Sequence, residues 1–154
     1  MKRTAIFVSV VLAVGVLAVQ VVNSKTVTFE QMAQAKAIVE ETCIECHDLE
    51  WPMTKVTDRK GWEETLTKMA NTGAVLDPAD RELVLEYMLA KSSFQTKCVL
   101  CHSLDRPMEK NKQFQEWMAT VQRMSSKKSG HLTDDEIKAI AGFLTAKGAE
   151  TVLY

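Results

Sequence analysis

This chain has no cysteine to spare. All four cysteines, and two of the three histidines, fall inside two five-residue stretches, 43–47 and 98–102. None lies near the N-terminal apolar segment, which argues against a lipid anchor there. Proline and glycine are few, three and six in 154 residues, and no Pro/Gly/Ser-rich run divides the sequence. A long flexible linker between separate domains is therefore excluded. No segment sustains an apolar/polar alternation, so essentially no sheet is expected. Charge of one sign is also lacking: the formal net charge is −1. Without a basic excess or a basic cluster interleaved with stacking aromatics, nucleic acid is not an expected partner.

What is present begins at the N-terminus. Lys2 and Arg3 precede a stretch, Ala5 to Val22, that only Ser9, Gly15 and Gln20 interrupt. A positive start followed by an apolar run reads as a secretory signal peptide. Val22-Asn23-Ser24 and Val16-Leu17-Ala18 offer small residues for cleavage. The run also approaches the ~20 residues that span a bilayer, so residues 1–24 are expected to be either a signal peptide or an uncleaved anchor through 5–22. Either way the positive end stays inside and the remainder is delivered outside the cytoplasm, to the periplasm.

The two cysteine stretches read Cys43-Ile44-Glu45-Cys46-His47 and Cys98-Val99-Leu100-Cys101-His102. Both are CxxCH, the attachment signature of a c-type haem. Two thiols three positions apart share one side of a helical turn, where they can form thioethers with the two vinyl groups of one haem. The adjacent histidine then serves as axial ligand. Two covalent haems c are expected, held by Cys43 and Cys46 and by Cys98 and Cys101, with His47 and His102 on the irons. A zinc site of four thiolates would use the same cysteines but leave both histidines unexplained. A disulfide framework would not require the histidines. No βαβ pattern surrounds either pair, as a thioredoxin-like site would need.

The chain repeats itself around these motifs. With Cys43 placed on Cys98, Leu49 falls on Leu104, Pro52-Met53 on Pro107-Met108, Trp62 on Trp117 and Met69 on Met124. After one inserted residue, Leu76 falls on Leu132, Tyr87 on Phe143 and Ala90-Lys91 on Ala146-Lys147. Two modules are expected, 25–91 and 92–154. Each is too small for a large core, and a flat apolar haem would supply the missing bulk. The elements read as helices. Thr28 with Gln31 opens the first, whose apolar positions run from Met32 to Thr42. A second starts near Asp58, and a third at Asp77 with Pro78 in its first position. Ser92 with Gln95 is expected to cap a separate motif helix. Asn111 is expected to open the Trp117 helix, and Thr133 with Glu136 the last, which Gly148 stops.

This arrangement resembles the class I cytochromes c, in which a helix ends in CxxCH and is followed by a middle helix, an axial methionine and a C-terminal helix. It is most similar to small bacterial haem modules with a W-x6-M pattern, here Trp62 to Met69 and Trp117 to Met124. The resemblance implies an all-α fold of two tandem haem-wrapping modules. It also implies a methionine as sixth ligand. Met69 and Met124 are the expected pair; Met53 and Met108, or His131 at the second haem, are the rivals. The stretch from His47 to Pro52, and from His102 to Pro107, is shorter than in typical members. With two axial ligands the iron is closed to substrate, and the expected function is electron relay rather than an enzyme. The alternative is a dihaem subunit or an enzyme of the peroxidase or sulfur-compound oxidoreductase type, with one haem open.

Charge is divided unequally. Residues 25–91 carry eight Lys and Arg against thirteen Asp and Glu, residues 92–154 nine against seven. Glu40, Glu41, Glu45, Asp48 and Glu50 surround the first motif; Lys97, Arg106, Lys110 and Lys112 surround the second. Two docking surfaces of opposite sign for redox partner proteins are expected.

Overall fold

The computed structural model describes residues 27–148. The expected leader over 1–24, with its cleavage sites, lies outside them. Among the described residues the fold is all-α, with seven α-helices and no strand, and no helix is long and apolar enough to cross a membrane.

Helix α1 spans Phe29–Thr42 and α2 spans Glu50–Thr54; α3 follows over Arg59–Asn71 and α4 over Pro78–Lys97. The second half holds α5 over Asp105–Met108, α6 over Phe114–Ser125 and α7 over Asp134–Gly148. The starts are where local chemistry satisfies the free N–H groups of a first turn. The Thr28 hydroxyl accepts from the Gln31 N–H at 3.3 Å, and the Gln31 side chain accepts from the Thr28 N–H at 2.9 Å. Asp58 accepts from the Gly61 N–H at 2.9 Å, and Asp77 from the Ala79 and Asp80 N–H groups at 2.8 and 2.9 Å. Thr133 and Glu136 form the same reciprocal box ahead of α7.

Two starts differ from expectation. The Trp117 helix opens at Phe114, not Asn111, because the Gln113 and Glu116 side chains form the reciprocal cap. Ser92 caps no separate helix. α4 runs through the expected join between 91 and 92, because Tyr87, Ala90 and Phe94 continue one buried stripe. The Ser92 hydroxyl faces inward and accepts instead from the Trp62 indole N–H at 2.9 Å.

Packing ties the halves together. α4 lies against α1, α3 and α7, and α7 also lies against α1 and α6. Met32, Ala35 and Val39 of α1 thus share one core with Tyr87 and Phe94 of α4 and with Ile140, Phe143 and Leu144 of α7. The Phe143 ring stands 5.3 Å from Tyr87 and 5.7 Å from Phe94. Phe29 stacks on Phe114 at 5.4 Å, so the first helix reaches well into the second repeat. Gly142 permits the close approach of α1 and α7: a Cβ there would stand 3.0 Å from Met32 Cγ.

Candidate cofactor sites at the two repeated motifs

Each motif sits at the same point of its repeat. α1 ends at Thr42 and a 3₁₀ turn, Cys43–Glu45, follows at once; α4 ends at Lys97 and the turn Cys98–Leu100 follows. The first cysteine of each pair is half-buried, the second exposed, and no disulfide joins any two of the four. Burial raises the Cys43 thiol pKa, and burial followed by the neighbouring Cys101 pushes Cys98 up to about 11. A redox-active CxxC needs a leading cysteine with a lowered pKa. These two are shifted the other way, which does not fit a redox-active pair.

The histidines repeat as well. His47 Nδ1 stands 2.7 Å from the Asp48 carbonyl oxygen, and His102 Nδ1 stands 2.8 Å from that of Ser103. A carbonyl only accepts, so Nδ1 is the donor, and in the neutral ring Nε2 carries the lone pair. That tautomer, fixed by a backbone carbonyl, is the one a metal-ligating imidazole adopts. Ile44, Val99 and Leu100, which lie between the paired thiols, are exposed apolar side chains that a flat apolar group would cover. Donor set, tautomer and apolar surroundings therefore fit a haem at each motif. A four-thiolate zinc site fits less well. It requires the two pairs to converge, and no group of three or more His, Cys, Asp or Glu able to hold a metal forms among the described residues.

Met69 lies in the last full turn of α3, half-buried, and Met124 in the last turn of α6, exposed. Neither belongs to the core, unlike Met53, which packs against it. A methionine at helical spacing is ordinarily a core residue; these two are not. α3 and α6 make their main contacts with α4 and α7, not with the motif turns. His131 is half-buried in the loop before α7, its N–H bonded to the Lys128 carbonyl at 3.1 Å.

Both repeats carry a lysine, given no role in the sequence analysis, that is fastened to backbone carbonyls. Lys91 is 1 % exposed. Its ammonium donates to the carbonyls of Pro52 at 2.9 Å, Met53 at 3.2 Å and Lys55, and lies 5.0 Å from the Trp62 ring. Its repeat counterpart Lys147 donates to the carbonyls of Met108 at 2.7 Å and Lys110 at 3.1 Å. Each lysine binds the end of its repeat to the segment that follows its CxxCH. The signal was present: Ala90-Lys91 and Ala146-Lys147 align in register with the motifs.

Comparison with protein-family models, curated proteins and solved structures found no match. The internal comparison of the two repeats therefore carries the argument.

That comparison also shows where they differ. Lys55 donates to the Thr65 hydroxyl at 2.8 Å beneath Trp62, and Lys112 donates to Thr120 at 2.8 Å beneath Trp117. Trp62 has Ser92 as its indole partner, but the buried Trp117 Nε1 has none among the described residues. The position equivalent to Ser92 is Gly148, which brings no hydroxyl. Two lysines assigned to a positive docking face also make contacts within the chain. Lys97 pairs with Glu136 and so links α4 to α7, while Lys112 lies on Trp117. Arg106 and Lys110 are the exposed cations beside the second motif.

Proposed function

We propose that this chain is a dihaem c-type cytochrome, exported to the periplasm, that relays electrons between redox partner proteins. Cys43, Cys46, Cys98 and Cys101 hold the two haems, and His47 and His102 are the proximal ligands. The observation that carries the reading is the doubled CxxCH, with each histidine Nδ1 committed to the carbonyl of the next residue. When bound, each haem supplies a one-electron iron couple. The protein's part is to orient Nε2 through that carbonyl and to hold the post-motif segment through Lys91 or Lys147. Met69 and Met124, both outside the core, are the proposed distal ligands. A methionine ligand raises the potential relative to a second histidine.

Mass spectrometry of the mature protein should show the polypeptide plus two haems that survive acid–acetone extraction. Extractable haem, or bound zinc, overturns the reading. Met69→Ala and Met124→Ala should each halve the near-infrared Met–Fe(III) band and lower the potential of one haem. If Met53→Ala and Met108→Ala do so instead, the distal pair is the other one.

A further inference from the structure

Trp51 has no equivalent in the second repeat, where Arg106 occupies its position. It is 47 % exposed on α2, and its ring meets the His47 ring edge-on at 6.1 Å. The Lys55 ammonium lies 5.1 Å from the Trp51 ring and 5.6 Å from the Trp62 ring, bridging surface and core. Lys55 is itself tied to Thr65 at 2.8 Å. The exposed indole is therefore held between an imidazole and an anchored cation. Along the same stretch of chain Glu41, Glu45, Asp48 and Glu50 are all exposed. A held, exposed Trp in a segment whose exposed charges are all of one sign has the composition of a protein-docking surface. Beside the second motif the exposed charges are mixed, with Arg106 and Lys110 next to Asp105 and Glu109.

We propose that Trp51, with its acidic rim, forms the face on which a redox partner docks to the first repeat. That partner carries an apolar contact patch ringed by Lys and Arg. The inference rests on the dihaem reading. Its physical content is a division of labour: the acidic rim raises the encounter rate, and the buried Trp51 contact sets how long the complex lasts. The second repeat, with Arg106 in that position, serves a different partner.

The test uses the full-length holoprotein and, as probe, a mitochondrial-type cytochrome c with a lysine-ringed contact patch. In stopped flow one electron passes from the reduced holoprotein to the ferric probe, so the probe is reduced and the holoprotein oxidised. Trp51→Arg, which installs the second repeat's residue, should slow this exchange about tenfold. Trp51→Phe should restore most of the rate. Glu45→Gln with Glu50→Gln should slow it severalfold at low ionic strength, with the difference lost once salt shortens the Debye length to about 3 Å. Arg106→Glu should leave it unchanged. Haem content, spectrum and both potentials should be those of the wild type in every variant.

If the wild type carries no covalent haem, the dihaem reading fails and the docking face with it. If haem is present but Trp51→Arg leaves the rate unchanged, or Arg106→Glu alters it equally, only the docking face is overturned. If Trp51→Arg loses a haem or moves a potential, Trp51 packs on the cofactor rather than on a partner, and the proposal is again overturned.

Discussion

At the residue scale, Lys91 carries the most consequence. A lysine ammonium has three donors and no acceptor, and here three carbonyls receive them. Removing the ammonium leaves those carbonyls without a partner in a buried place. Lys91→Met should therefore cost about 2 kcal/mol of stability. Lys147→Met, at a half-buried site with two carbonyls, should cost less. Burial, and then the charge of Lys55, pushes the Lys91 pKa down from 10.5 to about 8. Above pH 8 the folded protein releases that proton while the unfolded chain still holds it. Stability should therefore rise with pH from about 8 towards 10, by on the order of 1 kcal/mol, and be flat below that window. Urea denaturation of the holoprotein at pH 7, 8 and 9.5 checks this, and Lys91→Met should abolish the rise.

At the scale of elements, the contact between α1 and α7 is set by Gly142. A Cβ at that position meets Met32 Cγ at 3.0 Å, with Phe29 Cα at 3.9 Å behind it. Met32 is 1 % exposed and has little room to yield. Two effects oppose each other in Gly142→Ala: about 1 kcal/mol of helix propensity gained, and a tight contact made. The substitution should change the unfolding midpoint little. Gly142→Leu adds volume that α1 cannot absorb and should cost about 2–3 kcal/mol. Thermal unfolding by circular dichroism separates the two. If Gly142→Leu is neutral, α1 does not lie on α7 as described.

At the scale of the whole molecule, the two repeats share structure. α4 is the last helix of the first repeat and the motif helix of the second, and α1 covers α7. A chain ending at Lys91 would cut α4 inside its buried stripe, before Phe94, and would leave Met32, Ala35 and Val39 without their α7 partners. The intact protein should unfold in one cooperative transition, with the same midpoint by circular dichroism and by tryptophan fluorescence. Residues 25–91 expressed alone should melt broadly without a cooperative transition, despite retaining a complete CxxCH. A sharp transition in that fragment would show the repeats to be independent units.

The sequence by itself determined the local facts. Caps at Thr28, Asp58, Asp77 and Thr133 depend on side chains three residues or fewer from the N–H groups they satisfy, and the helices start there. The all-α class followed from the spacing of apolar residues, and the doubled motif followed from five consecutive letters. The continuity of α4 was not legible in the same way. Ser92 is a good cap in isolation, and only the indole of Trp62, thirty positions earlier, draws its hydroxyl inward. The pairing of Lys97 with Glu136 and the seating of Lys91 on the carbonyls of 52–55 likewise join residues almost forty positions apart. A charged residue reads as surface until the fold supplies it with acceptors. Tertiary structure alone decided which lysines face solvent and which are fastened inside, because only packing brings distant carbonyls and carboxylates within hydrogen-bond reach.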